Sequence, residues 1–502
     1  MEKYDIVIIG SGLGGLACGV ILSREGYKIL VLEKNKQIGG NLQTFARDKC
    51  IFDTGIHYIG GLSEGQNLYQ YFKYLGIMDD LKLMKLDEYG FDVVTFEGDA
   101  NEYRHAQGYE NFIEVLSAQF PNERQAIKEY CEMIRKVCAR FPMYNLLPSN
   151  GDWSNIAYHD VSARDFIASC TSNPKLQAVL AGTNLLYAGE GDKTSLYTHA
   201  LVVNSYIESS WKCIDGGSQI ARLLTRLIRQ NGGEVLKHAK ASRFIFKDEV
   251  IEAVELEDGR RFEGKSFISN IHPAITLDMV EEGKIRNVYR KRINNLENSI
   301  SVFIVYLVMK KNTMDYFNCN YYHYINPDVW GGTTYGKDWP HNYAIFTGAS
   351  SKGNAYVETL TLMAYMNYAE VRAWEGTYNT SLHQEERGEA YETFKREKAE
   401  QLITQMEKRF PGIRQNIASY YTSTPLTYRD YIGTKDGSLY GILKDYKDPL
   451  RSFLSARTKI PNLLLTGQNL NMHGVLGVTI GAVVTCSEFL GNEYLMKKVR
   501  QA

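Results

Sequence analysis

The sequence predicts an α/β fold of two interleaved parts, and three observations carry that expectation. A short β-branched strand near the amino-terminal end runs into a glycine-rich turn and a helix. A strand meander returns between residues 243 and 269, and an aromatic, strand-like stretch follows from Tyr316 to Phe346. Composition agrees: 502 residues, 44% hydrophobic, 23% charged and a net charge of -1 from 57 Lys+Arg against 58 Asp+Glu describe an ordinary globular chain. Disorder and collagen-like repetition are excluded, and so balanced a charge leaves no electrostatic footprint for nucleic acid. At about 150 residues per domain, the length allows roughly two or three domains.

The elements follow in order. Asp5-Ile6-Val7-Ile8-Ile9 is continuously apolar after its acid, as suits a central strand buried on both faces of a parallel sheet. Gly10-Ser11-Gly12-Leu13-Gly14-Gly15 then reads G-x-G-x-x-G, followed by a helix-like Leu16 to Ser23 and a second strand, Lys28 to Leu32, that ends at Glu33. Each part has a physical task in a Rossmann-like dinucleotide site: Gly10 permits the tight turn, Gly12 lets backbone N–H groups approach a pyrophosphate, and Gly15 lets helix and strand pack closely. Glu33, 18 residues past Gly15, is placed to accept from a ribose hydroxyl. The alternative is a glycine-rich turn that binds nothing. The second glycine pair, Gly39-Gly40, favours FAD over NAD, because the longer cofactor needs backbone alongside its whole length.

Farther along, residues 86–209 read as largely helical, with Ile127, Cys131, Ile134, Cys138 and Phe141 on one packing face. A helix carrying Ile220, Leu223, Leu224, Leu227 and Ile228 follows Asp215-Gly216-Gly217-Ser218, which supplies a cap, and ends at Asn231-Gly232-Gly233. Strands from Arg243 to Phe246, Val250 to Leu256 and Ser266 to Ser269 then read as a meander returning to the first sheet. From Tyr316 to Phe346, six tyrosines accompany Trp330 and Trp339, a candidate substrate sheet or simply an aromatic core. A second helical stripe runs through Phe394, Ala399, Leu402, Ile403, Met406 and Phe410.

The eight cysteines form no Cys-x-x-Cys pair and no zinc spacing, so no metal site is expected. Because Met1-Glu2-Lys3-Tyr4-Asp5 leads straight into a strand, the expected setting is cytoplasmic. The apolar stretch Gly474 to Cys486 is shorter than the roughly 20 residues of a spanning helix. Contact with a membrane surface stays compatible with an apolar substrate collected from lipid.

Taken together, these segments resemble the phytoene desaturase and retinol saturase group of FAD-dependent oxidoreductases, its saturase branch most of all. The marks are the first glycine motif, Val31-Leu32-Glu33 with Gly39-Gly40, Phe52-Asp53-Thr54-Gly55-Ile56-His57-Tyr58-Ile59-Gly60, Gly216-Gly217 with Gly232-Gly233, Ser269-Asn270, Thr424-Pro425-Leu426-Thr427, Tyr440-Gly441 and Leu465-Thr466-Gly467-Gln468. The resemblance implies a Rossmann-like FAD-binding domain from residues 1–85, 210–300 and 450–502, interleaved with a mixed α+β substrate domain from 86–209 and 301–449. It implies that Gly10, Gly12, Gly14, Gly15, Glu33, Lys34, Gly39, Gly40, Asn41, Ala241, Gly467, Gln468 and Val475 meet the cofactor. Gln468 and Asn469 stand where many flavoproteins carry an acid, so hydrogen bonding survives there without charge.

Adding or removing hydrogen across a carbon–carbon bond requires a hydride path at flavin N5 and a dry slot that aligns the alkene. His57, Tyr58 and His473 are the candidates for lining the flavin and moving a proton. The leading expectation is reduction of a retinoid-like or carotenoid-like polyene. Desaturation, flavin-dependent isomerisation, amine oxidation and a flavin-bearing carrier are the competitors. No second G-x-G-x-x-G lies between a strand and a helix, so NAD(P)H would act by transient contact; ferredoxin, flavodoxin or a quinone are equally open as electron partners.

Overall fold

The computed structural model describes residues 3–149 and 158–502; Met1 and Glu2, where the expected lead-in begins, lie outside the described residues. Two seven-stranded sheets organise the chain. In the first, the parallel strands Glu234–Leu236, Ile29–Leu32, Lys3–Ile9 and Arg261–Ser269 lie side by side in that order. On its other edge Arg261–Ser269 serves two neighbours. Its first three residues pair antiparallel with Val250–Leu256, which pairs in turn with Ala241–Lys247, and its last three residues pair parallel with Leu463–Leu465. The apolar run of the first strand is therefore central, as its β-branched sequence requires.

The helices Leu13–Arg24, Ser218–Gln230 and Gly474–Leu490 pack on this sheet. Glycine sets the closeness: a Cβ on Gly15 would lie 2.2 Å from the Gly10 carbonyl oxygen, and one on Gly19 would lie 2.7 Å from Ile228 Cδ1. The expected cap from Asp215-Gly216-Gly217-Ser218 needs correction. Gly217 occupies the cap position of Ser218–Gln230 without any side-chain cap, and the carboxylate of Asp53 accepts from the Gly217 N–H at 2.7 Å instead. A group 164 positions earlier thus satisfies an orphan donor of that first turn.

The second sheet is mixed. Its order is Ile417–Ser423, Ser301–Met309, Thr359–Met366, Asn342–Thr347, Asn320–Tyr324, Asp92–Phe96 and Tyr103–His105. Asp92–Phe96 runs parallel to Asn320–Tyr324, and every other pairing is antiparallel. Residues 86–209 are thus not only helical. The helices include Tyr109–Gln119, Arg124–Cys138 and Leu196–Glu208, but two strands from this stretch complete the sheet. Val93-Val94-Thr95-Phe96 carried a strand signal that Asp92 at its head disguised, since a central strand seldom buries a carboxylate. Ile127, Cys131, Ile134, Cys138 and Phe141 are all buried, as their spacing requires. The α/β class with one Rossmann-like sheet and one mixed sheet is what the sequence predicts, and both sheets draw strands from distant segments.

Candidate functional site

A cleft of about 860 Å³ runs from the glycine turn to the inner face of the second sheet. At one end its wall is backbone. Gly10 ends the first strand with its N–H donating to the Leu32 carbonyl at 2.8 Å and a φ of 92°, a conformation that glycine adopts without cost. Gly12, Gly14, Gly40 and Gly467 converge on it: a Cβ on Gly14 would meet Gly467 Cα at 3.1 Å, and one on Gly40 would meet Gly12 Cα at 3.2 Å. The late turn arrives here because Leu463–Leu465 pairs with Phe267 to Ser269, and the Thr466 N–H then donates to the Ser269 carbonyl at 2.9 Å.

Glu33 is buried, and its carboxylate accepts from the Asn35 N–H at 2.8 Å and from the Ser11 N–H at 3.2 Å and hydroxyl at 2.5 Å. Ser11 in turn accepts from the Gly39 N–H at 3.2 Å, so one hydroxyl ties the first glycine turn, the acid and the second glycine pair together. Ala241 comes alongside because the Ala239 N–H donates to the Glu33 carbonyl at 2.8 Å. Lys34 donates to the Asp430 carbonyl at 2.8 Å and the Tyr378 hydroxyl at 3.2 Å, and burial lowers its ammonium to about 8, with Glu33 opposing.

Of the predicted cofactor residues, Gly10, Gly12, Gly14, Glu33, Lys34, Gly39, Gly40, Asn41, Ala241, Gly467, Gln468 and Val475 all line the cleft, whereas Gly15 sits behind it at the helix–strand contact. Asn270 was passed over as a binding residue. It donates to the Gly10 carbonyl at 3.4 Å, and its side chain lies where Cβ atoms on Gly12, Gly14 and Gly467 would fall, at 2.8, 2.6 and 2.6 Å. Its signal was present in Ser269-Asn270 at the end of a parallel strand, the position where ligands gather in such sheets.

The opposite end is walled by side chains. Ile59–Gly60 pairs with Ser210–Cys213, which brings His57 and Tyr58 up beside the second sheet. The His57 ring stacks on Phe346 at 4.4 Å, and burial, aided by the Lys212 charge, lowers its imidazole to about 4. Tyr58 lines the cleft with Tyr206, Leu185, Leu186, Phe346 and Met363. Its hydroxyl donates to Asp92 Oδ2 at 2.8 Å and lies 2.6 Å from the Tyr322 hydroxyl. His473 is not brought into this wall. Its ring lies 4.4 Å from that of Tyr440, tilted by 33°, and burial lowers it to about 4.

A dinucleotide of FAD length fits these residues. Four glycine backbones form the cradle that any Cβ would fill, and the buried Asn41 Oδ1 and His57 Nε2, both on the cleft wall, lack protein partners. Among the described residues no group of three His, Cys, Asp or Glu side chains is placed to hold a metal ion, and no helix is long and apolar enough to cross a membrane.

Comparison with known proteins agrees with this geometry. Residues 8–75 match the family model for the NAD(P)-binding Rossmann-like domain. All-trans-retinol 13,14-reductase of Rattus norvegicus is 27% identical across 97% of this chain and 86% of its own length. Prolycopene isomerase 1 of an Oncidium hybrid is 26% identical across 88% and 75%. Among solved structures, an oxidoreductase from Methanosarcina mazei superposes with a TM-score of 0.64 at 15% identity, over 96% of this chain and 99% of that one. Cyclohexylamine oxidase from Brevibacterium oxydans superposes at 0.61 and 13% identity, over 99% and 100%. Those two structures share the fold with this chain and say nothing of its substrate.

Proposed function

Because the chain belongs to the phytoene desaturase and retinol saturase group, we propose that it is an FAD-dependent oxidoreductase that saturates a carbon–carbon double bond of an apolar, retinoid-like or carotenoid-like polyene. One observation carries the reading: a single cleft joins the glycine cradle to a wall of Leu185, Leu186, Phe346, Met363 and Tyr206. Such a wall excludes water and orients an alkene by shape.

Gly10, Gly12, Gly14 and Gly467 would offer backbone to the pyrophosphate, Glu33 would accept from the ribose, and Gly39, Gly40 and Asn41 would follow the middle of the cofactor. Lys34 and Ala241 would flank the adenosine, Gln468 would hydrogen-bond without adding charge, and Val475 would pass near the ring. Once bound, flavin supplies hydride transfer at N5. His57 and Tyr58, which line the cleft, would touch substrate, and His473 would act through Tyr440, as a support for that ring. NAD(P)H would reduce the flavin by transient contact, and contact with a lipid surface would feed the apolar cleft.

The test is anaerobic. Photoreduced, FAD-loaded protein is mixed with retinoids, carotenoids and enones, and flavin reoxidation is followed with product mass. A gain of two hydrogens supports saturation; loss of two hydrogens with oxidised protein replaces it by desaturation. Unchanged mass with altered geometry favours isomerisation, the second reading, for which the prolycopene isomerase relative argues. Flavin bleaching by an amine would turn the assignment toward amine oxidation.

A further inference from the structure

We infer that Asp92 is the proton reservoir behind Tyr58, and that the two residues form a relay delivering a proton to a carbon of the bound alkene. The inference rests on the saturase reading above and names residues that reading leaves unassigned.

Asp92 opens a strand inside the second sheet and is fully buried at 0% exposure. Asn320 on the neighbouring strand donates to its Oδ1 at 2.9 Å, and the Tyr58 hydroxyl meets its Oδ2 at 2.8 Å. Tyr58 reaches the cleft wall; Asp92 and Tyr322 stand behind it. No cation hydrogen-bonds Asp92 among the described residues: the Lys212 amine, also buried, is engaged with the Thr347 and Tyr316 hydroxyls. A carboxyl in such a place avoids the cost of a buried charge by holding its proton. Burial raises it to about 7 against the pull of Asn320, Tyr58 and Lys212. The titratable groups around it are Tyr58, Tyr206, Tyr322, Lys212, Cys319 and, directly opposite on the neighbouring strand, His105, with His57 within reach of the Lys212 charge. The phenol of Tyr58 is pushed far upward by the same burial, so it stays neutral and passes a proton on only if it regains one at once.

The atoms balance. One alkene carbon accepts a hydride, with its electron pair, from the reduced flavin, and its neighbour takes the proton of the Tyr58 hydroxyl as the π bond breaks. The Asp92 carboxyl, protonated on Oδ2, gives that proton to the phenolic oxygen as the phenol loses its own, and the resulting carboxylate, which then accepts from the Tyr58 hydroxyl across the same 2.8 Å, is reprotonated from solvent after product leaves. Asp92 is therefore a positioning and relay residue, and Tyr58 the group that touches substrate.

Two measurements test this. In cofactor-free protein, the infrared difference between wild type and Asp92→Asn should contain a protonated carboxyl stretch near neutral pH that fades as the pH rises. Absence of that band overturns the reservoir. In FAD-loaded protein, Asp92→Asn should slow polyene-driven flavin reoxidation about tenfold to a hundredfold and flatten its pH profile, while flavin affinity and melting temperature hold; Tyr58→Phe should slow it by about a hundredfold or more. Wild-type rate in Asp92→Asn, or loss of flavin affinity in step with rate, overturns the relay. Should Asp92→Asn fail to fold, Tyr58→Phe decides by the same readouts. Wild-type protein that no polyene reoxidises defeats the saturase reading alone, and the infrared band still judges Asp92.

Discussion

The two ends of the cleft are made differently. At the dinucleotide end the wall is main chain from turns that follow parallel strands, and the buried acid there, Glu33, is satisfied by the N–H groups of Ser11 and Asn35 and the Ser11 hydroxyl. At the opposite end the wall is side chain. His57, Tyr58, Phe346 and Met363 come from separate segments, and ionisable groups lie buried behind them. A backbone cradle tolerates almost no added atom but needs few particular side chains, whereas the opposite wall depends on which protonation states burial enforces. Perturbations should therefore separate the ends: steric ones should strike the first, and changes of pH the second.

The largest expected effect is of pH. His57, His105, His199 and His473 are held neutral, at about 4, 4, 3 and 4, chiefly by burial. Their folded values lie below the unfolded one, so the stability they contribute is present above about 6.5 and is lost as pH falls toward 4. Asp53 and Asp92, raised to about 7 by burial, act in the other direction: their contribution is complete below about 4 and is lost as pH rises through 7. With His272 and His323 also held low and Glu190 and Glu208 held high by burial, six histidines against four acids leave net proton uptake on unfolding, so stability should fall between pH 6.5 and 4 by on the order of a few kcal/mol, and the melting temperature with it. A flat profile in thermal melts would contradict the burial of neutral histidines on which this expectation rests.

Next comes Gly15→Ala, whose Cβ would collide with the Gly10 carbonyl at 2.2 Å. It should cost about 3 kcal/mol by forcing helix and strand apart, and leave the purified protein colourless. Normal FAD uptake measured by flavin absorbance would contradict the cradle. Glu33→Gln should be milder, lowering FAD affinity about thirtyfold, near 2 kcal/mol, through loss of charged hydrogen bonding, with product mass unaltered. Titration by flavin fluorescence decides it. Smallest is Arg226→Ala, which removes an exposed ion pair with Asp80 on the flank of Ser218–Gln230. It should shift stability by less than about 1 kcal/mol and FAD affinity by nothing measurable.

Legibility in the sequence follows the same division. Strand, turn, helix, strand and acid lie within residues 3–33, and their spacing states their geometry. The meander and the late strand were readable too, because each is a β-branched or leucine run between turn residues. Asn270 was legible as a motif but not as the side chain packed between two glycine turns. The strand Asp92–Phe96 was hidden by its acid, and the partner of Gly217 by its distance along the chain. His57 and His473 look equivalent in sequence, yet His57 lines the cleft and His473 lies against the ring of Tyr440, which does.

By itself the sequence determined the Rossmann-like domain, the α/β class and the kinship with retinol and carotenoid enzymes, since these rest on local backbone conformation and on runs of neighbouring residues. Only the tertiary structure decided that Tyr58, Asp92, Asn320, Tyr322 and Lys212 share one buried pocket of hydroxyl, carboxyl and amine. The reason is physical: whether a carboxyl is charged or neutral depends on the dielectric and the partners that folding places around it, and strand order, which no single segment encodes, supplies both.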